Sequence, residues 1–151
     1  MTLIEQTKSM SKAEQAQVFE TLLAKASAAG HLAAEAAVPT PMVVSDSQTD
    51  QSWFVSEGPC GFAWVRLRPA TSTFARYIKA TRMNLEIGFN TAGRAQVEAE
   101  GGHWSPAYQG GYEMWVWVGG QSMARKEAFA RAHASVLQEA GYQAYAGSRM
   151  D

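Results

Sequence analysis

The stretch Gly61-Phe62-Ala63-Trp64-Val65-Arg66-Leu67-Arg68 decides the fold, because two kinds of side chain alternate along it. Successive side chains of a β-strand point to opposite faces of its sheet. The small and aliphatic residues therefore share one face, and the aromatic and basic residues share the other. This alternation predicts a strand from about 61 to 68 whose apolar face meets a core, and Pro69 ends it.

A second stretch, Tyr112 to Val118, repeats the arrangement. Trp115 and Trp117 alternate with Met114 and Val116, so this stretch also predicts a strand with one aromatic face and one aliphatic face. Weaker patterns predict strands over Leu85 to Phe89 and over Tyr142 to Gly147, and a hairpin extension over Ala95 to Glu100.

Three segments have the pattern of amphipathic helices. Ser11 and Glu14 match a capping box, and the apolar residues that follow at helical spacing predict a helix that Gly30 ends or bends. Thr71 or Ser72 can cap a second helix. The third runs from about 122 to 140, and Gly141 follows its end. The apolar positions of the three helices are Val18, Phe19, Leu22, Leu23, Ala26, Ala29, Phe74, Tyr77, Ile78, Phe129, Ala132, Val136, Leu137 and Ala140.

From residue 61 onward the predicted element order is βαββαβ, which is the split βαβ arrangement of ferredoxin-like domains. The predicted fold is therefore an α+β, ferredoxin-like sandwich with an additional N-terminal amphipathic helix. The predicted organisation is an N-terminal helical segment at 1–37, a linker or short strand at 38–57 and an α+β domain at 58–151. The alternative is another α/β-sandwich topology, in which a hairpin at 84 to 100 extends the sheet.

Composition limits the classes of protein to consider. The 151 residues are 46% hydrophobic and fit one domain with a packed core. Cys60 is the single cysteine, which excludes an internal disulfide and favours a reducing cytoplasm. The N-terminus turns polar after two apolar residues and no stretch approaches a membrane span, so neither a secretory signal nor a membrane partner is expected.

The predicted sheet places its two strong strands side by side, because the first and third strands of a split βαβ sheet are the central pair. Their aromatic faces then merge into one patch. The candidate binding residues of this patch are Phe62, Trp64, Arg66, Arg68, Trp115 and Trp117. Glu113 lies at its edge.

This aromatic patch has three interpretations. It can bind single-stranded nucleic acid, because aromatic rings stack on bases and arginines hold phosphates; the stretch from 61 to 94 is locally basic. It can instead be the surface on which the N-terminal helix packs. Finally, it can bind a protein partner or a second copy of the chain, since Trp and Arg are enriched at binding hot spots. The near-neutral net charge of −1 favours protein association, with nucleic acid as the alternative.

No combination of residues has the spacing of a catalytic, metal or cofactor site, so the chain is predicted not to be an enzyme and to hold no cofactor. The least unfavourable alternative is a cysteine-dependent hydrolase, in which Cys60 is activated by His31, His103 or His133. His133 lies within the apolar arc of the last helix, where a core histidine is the better interpretation. Gly119 and Gly120 are interpreted as a tight strand-to-helix turn.

The pieces PCGFAWV, GGYEMWVWV and AYAGSRMD, which begin at Pro59, Gly110 and Ala144, resemble parts of small uncharacterised proteins carried by tailed bacteriophages. The resemblance covers about two thirds of the chain, from Gly58 to its end, and brings no catalytic residues with it. It implies an accessory protein that works in the cytoplasm of a bacterial host and binds host or phage macromolecules.

Overall fold

The computed structural model describes residues 2–151. The helices in that range are α1 (Leu3–Thr7), α2 (Lys12–Ala36), α3 (Thr73–Arg82), α4 (Ala92–Glu100) and α5 (Met123–Glu139). The strands are β1 (Met42–Ser45), β2 (Ser52–Val55), β3 (Gly61–Arg68), β4 (Gly102–Pro106), β5 (Tyr112–Val116) and β6 (Gln143–Met150).

The strongest strand pattern in the sequence, β3, is central in a four-stranded antiparallel sheet of order β4-β5-β3-β6. A separate two-stranded sheet pairs β1 with β2, so the range 38–57 contains a hairpin. The fold class is α+β, as the sequence predicts.

One face of the four-stranded sheet packs against helices and forms the core. Ala63, Val65 and Leu67 are completely buried on this face, because α5 lies across β3 and β6. The residues predicted to face this core from β3, β5 and α5 are buried, apart from the half-buried Val136; they are Val65, Leu67, Met114, Val116, Phe129 and Leu137. The buried set on this side is Val65, Leu67, Trp104, Met114, Val116, Phe129 and Leu137.

The N-terminal helix α2 packs on the helical side of the molecule. Ser11 caps it as predicted, since its side chain accepts a hydrogen bond from the Glu14 backbone N–H. Gly30 does not end the helix, because α2 continues to Ala36. Gly30 is required for close packing instead: a Cβ there would lie 2.7 Å from ring atoms of Phe129 in α5.

A buried guanidinium group holds α2, α3 and α4 together. Arg82 at the end of α3 donates hydrogen bonds to Glu20 of α2 at 2.8 Å and to Glu100 of α4 at 2.7 Å. Burial by itself lowers the pKa of Arg82, but the two carboxylates raise it overall. The three helices are therefore joined by a charged cluster in addition to apolar contacts.

The predicted strand at Leu85 to Phe89 and the hairpin extension at Ala95 to Glu100 are both wrong. The first segment is irregular and the second belongs to α4. Thr91 caps α4 by accepting a hydrogen bond from the Arg94 N–H, and its hydroxyl also binds the Gly88 carbonyl. The chain therefore turns back at this threonine. The second strand of the four-stranded sheet along the chain is β4, where the sequence patterns predict no strand.

Candidate functional site

The candidate site is the sheet face opposite the helices, which we call the outer face; it carries Phe62, Trp64, Arg66, Arg68 and Trp115. These residues alternate with the buried residues of β3 and β5, so the two faces differ sharply in composition. Phe62 keeps 39% of its surface exposed and the other four are half-buried. The predicted merging of two aromatic strand faces is confirmed for these residues.

The two tryptophans of the outer face lie directly opposite each other on neighbouring strands. Trp64 and Trp115 are cross-strand partners, and their ring centroids are 5.2 Å apart at an interplanar angle of 50°. Phe62 meets Trp115 edge to face at 6.2 Å. On the other side of Trp64 stands Gly147 of β6, where a Cβ would come within 2.4 Å of the indole Nε1. The missing side chain lets the Trp64 indole lie over the sheet.

An ion pair lies next to the aromatic cluster. Arg66 and Glu113 are cross-strand partners, and the arginine Nη2 lies 3.2 Å from the glutamate Oε2. Both side chains are mostly covered, so water screens the pair less than it would on an open surface. The Glu113 carboxylate therefore neutralises the positive charge of Arg66 on this face.

Two other arginines of the outer face have no such partner. Arg149 of β6 lies over the Phe62 ring at 5.4 Å from its centroid, and Arg68 ends β3 with a buried Nε that makes no hydrogen bond. Among the residues at 2–151, neither forms an ion pair with a carboxylate. Arg149 was not singled out from the sequence, because its strand was predicted to end at Gly147.

The edge strand β4 adds a histidine to the outer face. His103 is the cross-strand partner of Trp115. Burial lowers the pKa of His103, and its Nε2 is buried without a hydrogen-bond partner. Three of the four unpartnered buried side-chain atoms found at 2–151 therefore belong to this face, namely those of Arg66, Arg68 and His103. A buried polar group without a partner is costly, and a hydrogen bond to a bound molecule would remove that cost.

Trp117 is the one predicted site residue that does not lie on a strand of this face. It follows the end of β5, and its backbone N–H donates a hydrogen bond to the Gly101 carbonyl at 2.8 Å. The guanidinium of Arg94, from α4, covers its ring at 5.3 Å from the centroid. Trp117 therefore lies between the end of β5 and the Gly119-Gly120 turn.

The interpretation that the N-terminal helix covers the aromatic patch is wrong. The buried residues of α2 belong to the core on the other side of the sheet, where Phe19 meets Phe74 at a centroid distance of 5.2 Å. Among the helices and strands, α5 is the element against which α2 packs most extensively. The amphipathic pattern of α2 shows that the helix packs on something, but it does not say which surface that is.

A second apolar surface is the β1–β2 hairpin, residues 42–55, which we call the arm. Val43 and Phe54 are cross-strand partners on one face of the arm and are 64% and 71% exposed. Val44 and Trp53 lie opposite each other on the second face. The sequence indicated only a short strand at 52–55, because the prolines and polar residues around it resemble a linker.

The structure gives Cys60 an amide as its neighbour. Its Sγ lies 3.4 Å from the Gln121 side-chain oxygen, and among residues 2–151 no histidine hydrogen-bonds to it. His31 contacts the Ala99 carbonyl, and His133 is buried against Phe129. Within the same range, no group of three or more His, Cys, Asp or Glu side chains is placed to hold a metal ion.

Comparison with protein-family models, curated proteins and solved structures found no match to this chain. Within residues 2–151, no helix combines the length and the apolar character needed to cross a membrane.

Proposed function

We propose that this chain is a non-catalytic binding protein whose outer face binds a protein surface, either a partner protein or a second copy of the chain. The observation that carries the proposal is the difference between the two sides of the sheet. Helices cover one side, while the other side carries a partly exposed aromatic cluster and two arginines, Arg68 and Arg149, that form no ion pair within residues 2–151. Monomeric proteins rarely leave such a patch uncovered in the cell.

We further propose that the body is ferredoxin-like. The strand order β4-β5-β3-β6 supports this, because the first and third strands of the body are neighbours and the second and fourth lie at the edges. That is the order of a split βαβ sheet, with two helices in the first crossover instead of one. In this fold one sheet face is bare, which is the face the proposal assigns to binding.

Protein association is favoured over nucleic acid by the way the aromatic rings are arranged. Bases stack on ring faces that are free. Here Trp64 and Trp115 pack on each other, and a guanidinium covers Phe62. Arg66 is already paired with the Glu113 carboxylate, so its charge is not free to bind a phosphate backbone. Edge-to-face clusters of this kind offer apolar area and hydrogen-bond donors, as protein hot spots do.

The free thiol of Cys60 supports a reducing compartment such as the cytoplasm. The resemblance to small phage proteins supports an accessory role in an infected bacterium. Both remain proposals beside the binding function.

Site-specific photo-crosslinking tests the function directly. A photoreactive residue placed at Phe62 in the full chain is expected to form a protein adduct in cells. The same residue at Phe89, which is 86% exposed in the irregular segment, is the matched control and is expected to form none. A nucleic-acid adduct at 62, or equal yields at both positions, would contradict the proposal.

Titration with a single-stranded oligonucleotide tests the alternative. Tryptophan fluorescence is expected to stay unchanged. Quenching that weakens steeply with salt, and a loss of roughly 1–3 kcal/mol of binding on removing one aromatic residue, would establish the nucleic-acid module instead.

A further inference from the structure

We propose that the outer face of one copy is occupied by the arm of a second copy, so that the chain forms a dimer by exchanging its β1–β2 hairpins. This inference rests on the proposed function, because it names the occupant of the same surface. It is carried by two features that match each other. One is an exposed apolar arm with an acidic turn, and the other is a partly exposed aromatic face with arginines that form no ion pair within residues 2–151.

The arm carries apolar side chains of the kind found at interfaces, yet several of them are exposed to solvent. The side chains on its Val44–Trp53 face, which also carries Met42 and Val55, are less exposed than those on its other face. The most exposed pair, Val43 and Phe54, belongs to that other face. An isolated two-stranded hairpin is only marginally stable in water. Packing against a second surface would therefore stabilise the arm.

Charge shows which surface matches the arm. The turn between β1 and β2 carries Asp46 and Asp50, and neither forms an ion pair within residues 2–151. The outer face carries Arg149 beside Phe62 and Arg68 at the opposite end of β3, and within residues 2–151 neither forms an ion pair with a carboxylate. The two arginines are roughly 20 Å apart along the strand, so one acidic turn can pair with only one of them. The acidic turn also makes the arm unsuited to nucleic acid.

The position of the arm allows both copies to exchange at once. The chain passes from the arm through Gly58 to Cys60, which bridges to Ser122, and Gly61 then begins β3 beside Met123. The base of the arm is therefore next to the Phe62 end of the sheet. Four-residue strands extend roughly 13 Å, which compares with the width of a four-stranded sheet. A two-fold axis near this end would lay each arm on the other copy's face and close the dimer.

The reciprocal exchange doubles the area that a single arm–face contact would bury. A stable dimer buries about 800 Å² on each partner. In the exchange, every copy contributes both its arm and its outer face, so each contact is made twice. A single arm lying on a single face would leave the second arm exposed.

Sedimentation velocity of the full chain over a range of concentrations tests the proposal. The wild type is expected to dimerise. The arm variant, Val43→Ser with Phe54→Ser, and the face variant, Phe62→Ser, are each expected to raise the dissociation constant by roughly 30-fold or more. Phe89→Ser is the control and is expected to dimerise like the wild type. The altered arm residues are exposed, so these changes leave the folded core intact.

Mixing the two variants gives the sharpest readout. The face variant has an intact arm and the arm variant has an intact face. An equimolar mixture is therefore expected to form a heterodimer that is tighter than either variant's homodimer, through one intact arm–face contact. A face-to-face dimer would gain nothing from the mixture, and that result would overturn the exchange.

Removing the two negative charges of the turn between β1 and β2 tests whether they contribute to the dimer. Asp46→Asn keeps the side-chain acceptor of the Gln48 N–H, and Asp50→Asn suits the positive φ of 57° at that position. The double variant is expected to weaken the dimer and to reduce its dependence on salt.

The remaining outcomes separate the two proposals. A dimer that tolerates the arm changes but is lost in Phe62→Ser overturns the exchange and leaves the outer face as a binding surface. A wild type that stays monomeric also overturns the exchange, while a protein adduct at 62 would still support the proposed function. A dimer that tolerates every change contradicts the exchange, and without an adduct at 62 it contradicts both proposals.

Discussion

The two faces of β3 differ in what surrounds them. Ala63, Val65 and Leu67 are completely buried against the helices, whereas Phe62 and Trp64 of the same eight residues face away from them. Burial of apolar area on the inner face supplies stability. The outer face makes ring contacts that hold its side chains in place but leave area uncovered. The comparison predicts that substitutions on the inner face change folding and that substitutions on the outer face change binding.

The largest expected effect is on the inner face. Leu67→Ala removes a completely buried side chain from the centre of the core and is expected to lower the free energy of unfolding by about 2–5 kcal/mol. Leu32→Ala is the matched control, because Leu32 is 68% exposed on α2, and it is expected to change stability by about 0.5 kcal/mol or less. Urea denaturation measures both. Equal effects would show that α2 is in contact with another surface at Leu32.

The next effect depends on pH and comes from a histidine within the core. Burial, reinforced by the charge of His31, lowers the pKa of His133 to about 3. The unfolded chain binds a proton near the ordinary pKa of 6.5, so it takes up more protons than the folded chain below that pH. Stability is therefore complete above pH 6.5 and falls by about 1.4 kcal/mol for each pH unit further down, until pH 3 is reached.

The window between pH 6.5 and 4.5 isolates His133 from the carboxylates. A hydrogen bond from Arg82 lowers the pKa of Glu20 from its ordinary 4.5, so the stability from that contact is present above pH 4.5 and is lost only at lower pH. His133→Phe keeps a ring against Phe129 and is expected to remove the part of the slope that His133 contributes, so that only the part from His103 remains, because burial lowers the pKa of His103 as well. Denaturation at several pH values measures the slope in both proteins. An unchanged slope in the variant would assign the effect to another group.

The sequence predicts those features of the structure that depend on residues close together in the chain. The alternation in β3 and β5, the Ser11 and Ser72 caps and Gly141 after α5 all depend on neighbouring residues, and the structure confirms them. The apolar alternation at 85–89 was misleading. Ile87 is only half-buried and Phe89 is exposed, whereas the helix-favouring residues after Thr91 carried the correct signal.

Strand β4 and the position of α2 depend on distant residues and were missed. Gly102 and Pro106 begin and end β4, and both residue types disfavour strands. Tertiary packing overrides that preference: a Cβ at Gly102 would come within 2.2 Å of the Trp115 carbonyl, and Trp104 fills the core. Likewise, the α2 pattern defines an apolar stripe but not its partner. The residues of the outer face were found because their alternation is local, whereas Arg149 and His103 joined it through strand pairing.

A smaller effect tests how α2 packs against α5. Gly30→Ala would place its Cβ 2.7 Å from the completely buried Phe129 ring. The expected loss is about 1–3 kcal/mol, in spite of the higher helix propensity of alanine. Gly88→Ala is the control, since the nearest atom to its Cβ would be 3.8 Å away. Thermal denaturation of the two variants compares them. A stabilised Gly30→Ala protein would mean that α2 does not lie this close to α5.

The smallest effect on stability belongs to the outer face and completes the comparison. Phe62→Ser loses an edge-to-face contact with Trp115 and the cover of Arg149, but the ring is already partly in water. The expected loss is about 1 kcal/mol or less, well below that of Leu67→Ala on the same strand. Urea denaturation at a concentration where the protein is monomeric measures this loss without any contribution from association. If Phe62→Ser lowers the free energy of unfolding as much as Leu67→Ala does, the outer face is part of the folding core. If Phe62→Ser lowers it only slightly while crosslinking through position 62 gives a protein adduct, the inner face of β3 stabilises the fold and the outer face binds a partner.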